Sequence, residues 1–434
     1  MTHPYNPWIT AGPALLAAAM LVAASAAQPT ITSLGTLPGG DFSFATAVSA
    51  DGSVIVGTST GSSGQRAFRW TSPGGMVSLG VLPGFASSST ALAINADGSV
   101  IAGVSTGAGN TARAFRWTSA TGPQSLGVLA SGAASYANAI NADGSVIVGT
   151  SSTSGFNATR PFRWTSATGI QSLGTLPGGT GASAHAISSD GLVITGSSDS
   201  ATDDLQHAIR YTAAAGMLDL GLLPGTAQSV AFATSADGSV VVGGSDDGDT
   251  SNAFRWTLAG GTMQSLGELG GNNYARAYAI SPDGTIVGGA GAFPDGDHAF
   301  VWTATLGIVD LNTYLPSLGA DLTGWQLIAV RGFSADSSVI VGEGTLNGAY
   351  RAFLVRGLRW CNCHNPADVA ALGGAPGCDG QVTADDIVYY LAQFFAANLA
   401  VADIVGLGGA GGPDGQITPD DLVAFLAAFF AGCP

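Results

Sequence analysis

Ser49-Ala50-Asp51-Gly52-Ser53-Val54-Ile55-Val56-Gly57 returns as Asn95-Ala96-Asp97-Gly98-Ser99-Val100-Ile101-Ala102-Gly103 and again as Asn141-Ala142-Asp143-Gly144-Ser145-Val146-Ile147-Val148-Gly149. Asp-Gly between apolar runs signals a tight hairpin turn. The turn Asp stands at 51, 97, 143, 190, 237 and 283, so the spacings are 46, 46, 47, 47 and 46. A seventh, decayed copy has Asp336-Ser337, displaced to 53 by an insertion around Leu315 to Trp325. A period of about 40–50 residues marks a propeller or a solenoid.

Outward from the turn, one unit reads as four strands. Ala45 to Ser49 leads through the turn into Val54 to Gly57, then come Arg66-Ala67-Phe68-Arg69-Trp70-Thr71 and Met76-Val77-Ser78-Leu79-Gly80. Four strands in this length make one propeller blade, and no helical pattern alternates with them. Six copies carry their own last strand, whereas the seventh stops after Arg351 to Arg356. The missing strand stands at the other end, Ile31-Thr32-Ser33-Leu34-Gly35. A ring closed by the N-terminal strand accounts for both facts and removes open sheet edges. A stacked solenoid would need capping repeats. The sequence therefore predicts a mainly β fold, a seven-bladed β-propeller over 28–357 with its strands from 31, followed by a small α-helical module over 358–434.

Composition agrees. The 434 residues include 65 Gly and 19 Pro, and only 10% are charged, against about a quarter in soluble domains. All 13 basic residues are Arg, and Glu268 and Glu343 are the only acids that are not Asp. A net charge of −16 argues against nucleic acid as partner. Without Lys there is neither a phosphate-loop signature nor a Schiff-base nucleophile.

Side chains that recur with the repeat read as scaffold. Nine Arg occupy the third-strand motif (66, 69, 113, 116, 160, 163, 210, 255 and 351), and Trp70, Trp117, Trp164, Trp256 and Trp302 read as packing between blades. Small residues in Ala91-Leu-Ala-Ile-Asn95 suit the crowded innermost strands. The G-x-S-x-G matches at Ser59 and Ser105 follow a strand into a polar loop, which is not the strand-to-helix elbow of a hydrolase. Gly406, Gly408 and Gly411 match a dinucleotide fingerprint without its flanking strand and helix. His207 and His298 stand where other units have Arg, so neither reads as a general base. No catalytic residue is assigned.

The units resemble the extracellular HAF-repeat family, whose motif stands here as His298-Ala299-Phe300 with relatives at Arg66-Ala-Phe68, Arg113-Ala-Phe115 and His207-Ala-Ile209. The resemblance implies secretion and a repeat fold and supplies no activity. One feature escapes the repeat. The loops between second and third strands carry Asp199, Asp203 and Asp204, then Asp246, Asp247 and Asp249, then Asp295 and Asp297. Three adjacent blades set these on one rim. Such carboxylates hold Ca²⁺ or supply an acid/base pair, although a solvated edge is the favoured reading.

The two ends have other roles. Residues 1–27 read as a secretory signal peptide, with an apolar run from Ala11 closed by Ala24-Ser25-Ala26-Ala27. No later segment reads as a membrane span. The tail is duplicated at a spacing of 35: ADVAALGGAPGCDGQVTADDIVYYLAQFFA from Ala367 and ADIVGLGGAGGPDGQITPDDLVAFLAAFFA from Ala402. Each copy is a Gly-rich acidic loop running into an amphipathic helix. Asp379, Gln381, Thr383 and Asp386, and in the second copy Asp414, Gln416, Thr418 and Asp421, match the later positions of a Ca²⁺ loop. Asp368 and Asp403 serve as first ligands if the Gly-rich insert loops out. Helix capping is the competing reading for the last Asp of each copy.

This duplicated half-EF-hand resembles the GC-type dockerin, which implies Ca²⁺ and a cohesin-like receptor on a surface or scaffold. Cys361, Cys363, Cys378 and Cys433 allow three disulfide pairings, favoured over metal by an exported context. The whole reads as an exported, anchored binding or display module with polysaccharide among its partners. The competing class is an extracellular carbohydrate-active enzyme using the rim Asp residues.

Overall fold

The computed structural model describes residues 28–360 apart from 131, 154–158, 201–204, 272, 273 and 359, and beyond them only the strand pair Ala370–Ala371 and Ala375–Pro376. The signal-peptide segment, the calcium-loop residues of both tail copies (Asp368 to Asp386 and Asp403 to Asp421), the four Cys, Asp203 and Asp204 lie outside the described residues. The chain divides into two compact units, Pro29–Leu358 and the two ends taken together. No helix among the described residues is long and apolar enough to cross a membrane.

The unit Pro29–Leu358 is a seven-bladed β-propeller made of seven four-stranded antiparallel sheets. Blade 1 runs Ser43–Val48, Val54–Gly61, Gly64–Thr71 and Gly75–Ser78 from axis to rim. Blades 2 to 6 repeat that order. Blade 7 contributes Trp325–Phe333, Val339–Leu346 and Ala349–Arg356, and its outer strand is Thr30–Ser33 from the other end of the chain. That strand pairs antiparallel, Thr30 with Arg356 through Ser33 with Phe353.

The repeated residues show why the blades take this form. The Asp51 carboxylate accepts from the Ser49 hydroxyl at 2.6 Å and the Ser53 amide at 2.9 Å, while Ser49 Oγ accepts from Val54 N at 3.0 Å. Asn95 and Asn141 serve the same place through their amide oxygens. The residue before each turn Asp links to the next blade. Ala50 N donates to Ala96 O, Ala96 to Ala142, Ala142 to Ser189, Ser189 to Ala236, Ala236 to Pro282, and Ala335 back to Ala50. The seventh bond of this ring is absent because Pro282 has no N–H.

Every innermost strand carries a β-bulge, between Ala45 and Ala47 in blade 1 and at the matching place in the other six. The bulge presses backbone against the second strand, so a Cβ on Gly57 would lie 2.0 Å from the Phe44 carbonyl. The core is a set of layers between blades. The motif Phe68 is wholly buried. Trp70, Leu34 and Leu37 pack with Val339, Val341 and Leu354 of the neighbouring blade.

The insertion in the seventh unit forms a helix, Leu311–Ser317, capped by Asp310, whose carboxylate accepts from Asn312 N. Leu311 and Leu315 anchor it.

Candidate functional site

The bulge places one extra residue of each innermost strand beside the axis: Thr46, Leu92, Asn138, His185, Phe232, Tyr278 and Arg331. Three bond to the next blade. Thr46 Oγ1 donates to Ala91 O at 2.9 Å and Asn138 Nδ2 to Ala184 O at 2.7 Å, and His185 Nδ1 lies 3.0 Å from Ala231 O. The other side of the ring is an aromatic arc. His185 stacks on Phe232 at 5.9 Å, Phe232 meets Tyr278 at 5.3 Å, and the Arg331 guanidinium lies 4.2 Å over the Tyr278 ring. Packing around His185 pushes its imidazole pKa below the ordinary 6.5, and its bond to Ala231 O only partly opposes this. Burial, then the Tyr274 hydroxyl, raises the Tyr278 phenol above its ordinary value.

Charge accumulates in blades 5 to 7. Arg331 pairs with Glu343 at 2.5 Å, and Arg276 reaches Asp246 at 3.4 Å while lying over Tyr274. Gln228 also donates to Asp246, at 2.7 Å. Composition and motif reading missed Arg276, Arg331 and Glu343. A signal was available: neither Arg belongs to the third-strand motif, and Glu343 is one of two Glu in the chain.

Over blade 7, with Glu343 in its lining, lies a half-open cavity of about 410 Å³. One wall is the hairpin tip Asp295-Gly296-Asp297 of blade 6, and another is Phe44 of blade 1. Gln326, Ile328, Glu343, Thr345 and Tyr350 of blade 7 form the floor. Phe44 and Tyr350 meet edge to face at 5.6 Å.

The described rim Asp residues share one face of the ring without forming one cluster. Asp199 and Asp246 end their second strands, where the sequence reading had put them in loops. Asp199 accepts from Thr180 Oγ1 at 2.8 Å. Asp247 caps its own turn by accepting from Asp249 N and Thr250 N, which holds its pKa below the usual carboxylate value. Asp297 lies within the third strand of blade 6, at the cavity. Among the described residues no three His, Cys, Asp or Glu side chains group so as to hold a metal ion.

The histidines that replace Arg each have a carboxylate twelve residues on. His207 Nδ1 lies 2.7 Å from Asp219 and His298 Nδ1 2.9 Å from Asp310. Their outer-strand partners are Asp where blades 1, 2, 3 and 5 have Ser78, Ser125, Ser172 and Ser265. His298 stacks on Phe293 at 4.3 Å, and its Nε2 faces Asp295 Oδ1 at 3.1 Å without hydrogen-bond alignment.

Several of the motif Arg are staples. Arg113 donates to Ala133 O at 2.6 Å, Arg351 to Asp41 O at 2.6 Å and Arg210 to Gly238 O at 3.0 Å, each reaching the next blade. Ser59 and Ser105 are buried and accept from Leu37 N and Leu82 N. Their hydroxyls hold the Leu-bearing loops between blades, which leaves no nucleophile elbow there.

Neither a family model nor a curated protein matches the chain. Solved structures do match. The oligogalacturonate lyase of Vibrio parahaemolyticus superposes with a TM-score of 0.52 at 10% identity, over 75% of this chain and 93% of that one. An oligogalacturonate lyase in complex with manganese gives 0.51 at 14% identity, over 75% and 92%. TolB of Acinetobacter baumannii is 15% identical with a TM-score of 0.42, over 62% of this chain and 62% of its own length. At identities this low the two lyase superpositions show a shared fold and nothing about chemistry.

Proposed function

We propose that this chain is an exported, surface- or scaffold-attached propeller that acts as a binding and display module. The cavity over blade 7 carries the reading. It lies in the copy where the repeat decays, and it combines aromatic, amide, hydroxyl and carboxylate groups. Residues that depart from a repeat are the ones a repeat scaffold frees for recognition. The HAF-like units and the signal-like N-terminus support export. The tail resembles a GC-type dockerin, which supports Ca²⁺-dependent attachment to a cohesin-like receptor, with the two acidic loops as ligands. N-terminal sequencing of exported protein is expected to start at Ala27 or Gln28. Calorimetry on the full chain is expected to show Ca²⁺ binding that Asp386→Ala and Asp421→Ala each weaken. No Ca²⁺ heat would make those Asp helix caps.

A second reading, a carbohydrate-active enzyme, draws on one observation. His298 is held by Asp310 and turns its other nitrogen toward Asp295, an arrangement suited to proton transfer. Sugar released from a polysaccharide by wild type, and not by His298→Ala, would establish that reading in place of binding alone.

A further inference from the structure

We infer that the cavity over blade 7 takes a polyhydroxylated organic cation, namely a hexosamine oligosaccharide with free amino groups. The inference rests on the binding-module reading and names the ligand class of that site. A volume of about 410 Å³ falls in the range of small-ligand sites, roughly 300–1,000 Å³. Phe44 and Tyr350 offer apolar ring faces for the C–H side of a sugar, and such faces also attract cations. The Gln326 amide and Thr345 hydroxyl both donate and accept, which matches ligand hydroxyls.

Charge selects among sugars. Glu343 is neutralised by Arg331. Asp295 and Asp297 pair with no Arg among the described residues, and the basic group beside Asp295 is the His298 imidazole. The wall is therefore net acidic, within a chain of net charge −16, and it repels a uronate while drawing in an ammonium. The His298 side chain is 9% exposed, and its Nε2 lies 3.1 Å from Asp295 Oδ1 of the acidic wall without making an aligned hydrogen bond. A lysine peptide also brings an ammonium, but its aliphatic stem offers the Thr345 hydroxyl and the Gln326 amide, which makes one long bond to Asp295 O at 3.5 Å, no hydroxyl to bond.

The test is calorimetric titration of the full chain with four tetramers: glucosamine, N-acetylglucosamine, galacturonate and lysine. Glucosamine tetramer is expected to bind at least about tenfold tighter than the other three, as loss of a charge-assisted contact implies. Asp295→Asn, Asp297→Asn and Tyr350→Ala, with circular dichroism unchanged, are each expected to lower that affinity about tenfold. Added salt is expected to weaken it. Equal or tighter binding of the acetylated or uronate tetramer would overturn the cation and leave the binding reading standing. Tighter binding of tetralysine would overturn the sugar. Binding of no sugar would sink both, and unchanged affinity in all three variants would remove the site.

Discussion

The turn Asp residues are the most repeated acids in the chain and the best held. Asp51 is held down to about 2 from an ordinary 3.8, chiefly by the Ser49 hydroxyl and the Ser53 amide. Asp97, Asp143, Asp190, Asp237, Asp283 and Asp336 are lowered by similar turn bonds. A carboxylate with a depressed folded pKa contributes stability above its unfolded value and loses it as pH falls through the folded value. Stability is therefore expected to drop steeply between about pH 4 and pH 2, as urea midpoints across that range will show. His185 acts higher. Its folded pKa is lowered, so the unfolded chain takes up the proton first and stability falls as pH drops below the ordinary 6.5. His185→Gln should flatten that part of the profile relative to wild type. Gly98 has φ of +73°, and a Cβ there would come 2.8 Å from Val54 Cγ2 of the preceding blade. Gly98→Ala is expected to cost about 2 kcal/mol at unchanged urea m-value, and a neutral result would mean the turn relaxes freely.

At the scale of the strand, Thr30–Ser33 closes the ring by completing the seventh sheet. Deleting residues 28–37 removes that strand with Leu34 and Leu37, both 4% exposed. The loss is expected to exceed about 3 kcal/mol from leucine burial alone, seen as a lower melting temperature; equal melting would refute closure. This closure was legible in the sequence because a missing strand at one end and a spare one at the other are countable. The bulges were not legible. Each inserts one residue into an apparently regular Ala-x-Ala strand, so strict alternation hides which side chain turns to the axis. Thr46, His185, Tyr278 and Arg331 were hidden for that reason. The Arg331–Glu343 pair is partly buried, with side chains 32% and 18% exposed. A double-mutant cycle with Arg331→Met and Glu343→Gln is expected to give a coupling of about 1–2 kcal/mol. A coupling near zero would mean the pair merely coincides.

Over the whole molecule, repetition and departure from it divide the work. Asp-Gly turns run through blades 1 to 6 and Arg staples recur as late as Arg351 of blade 7, whereas Arg276, His298, Arg331 and Glu343 are departures confined to blades 6 and 7, and Glu343 lines the cavity. The rim Asp residues were visible as an excess of charge, but their fates depend on partners from other strands. Asp246 is taken up by Gln228 and Arg276, and Asp297 is left at the cavity. That separation is a matter of three-dimensional neighbours, which spacing along the chain does not encode. The central claim, a propeller that binds without turnover, is tested most directly by incubating the full exported chain with a polysaccharide panel and scoring both retention and released sugar. The account predicts retention of at least one cationic polymer, lost in Tyr350→Ala, with no sugar released. Reproducible release that disappears in His298→Ala or Asp295→Asn would contradict it.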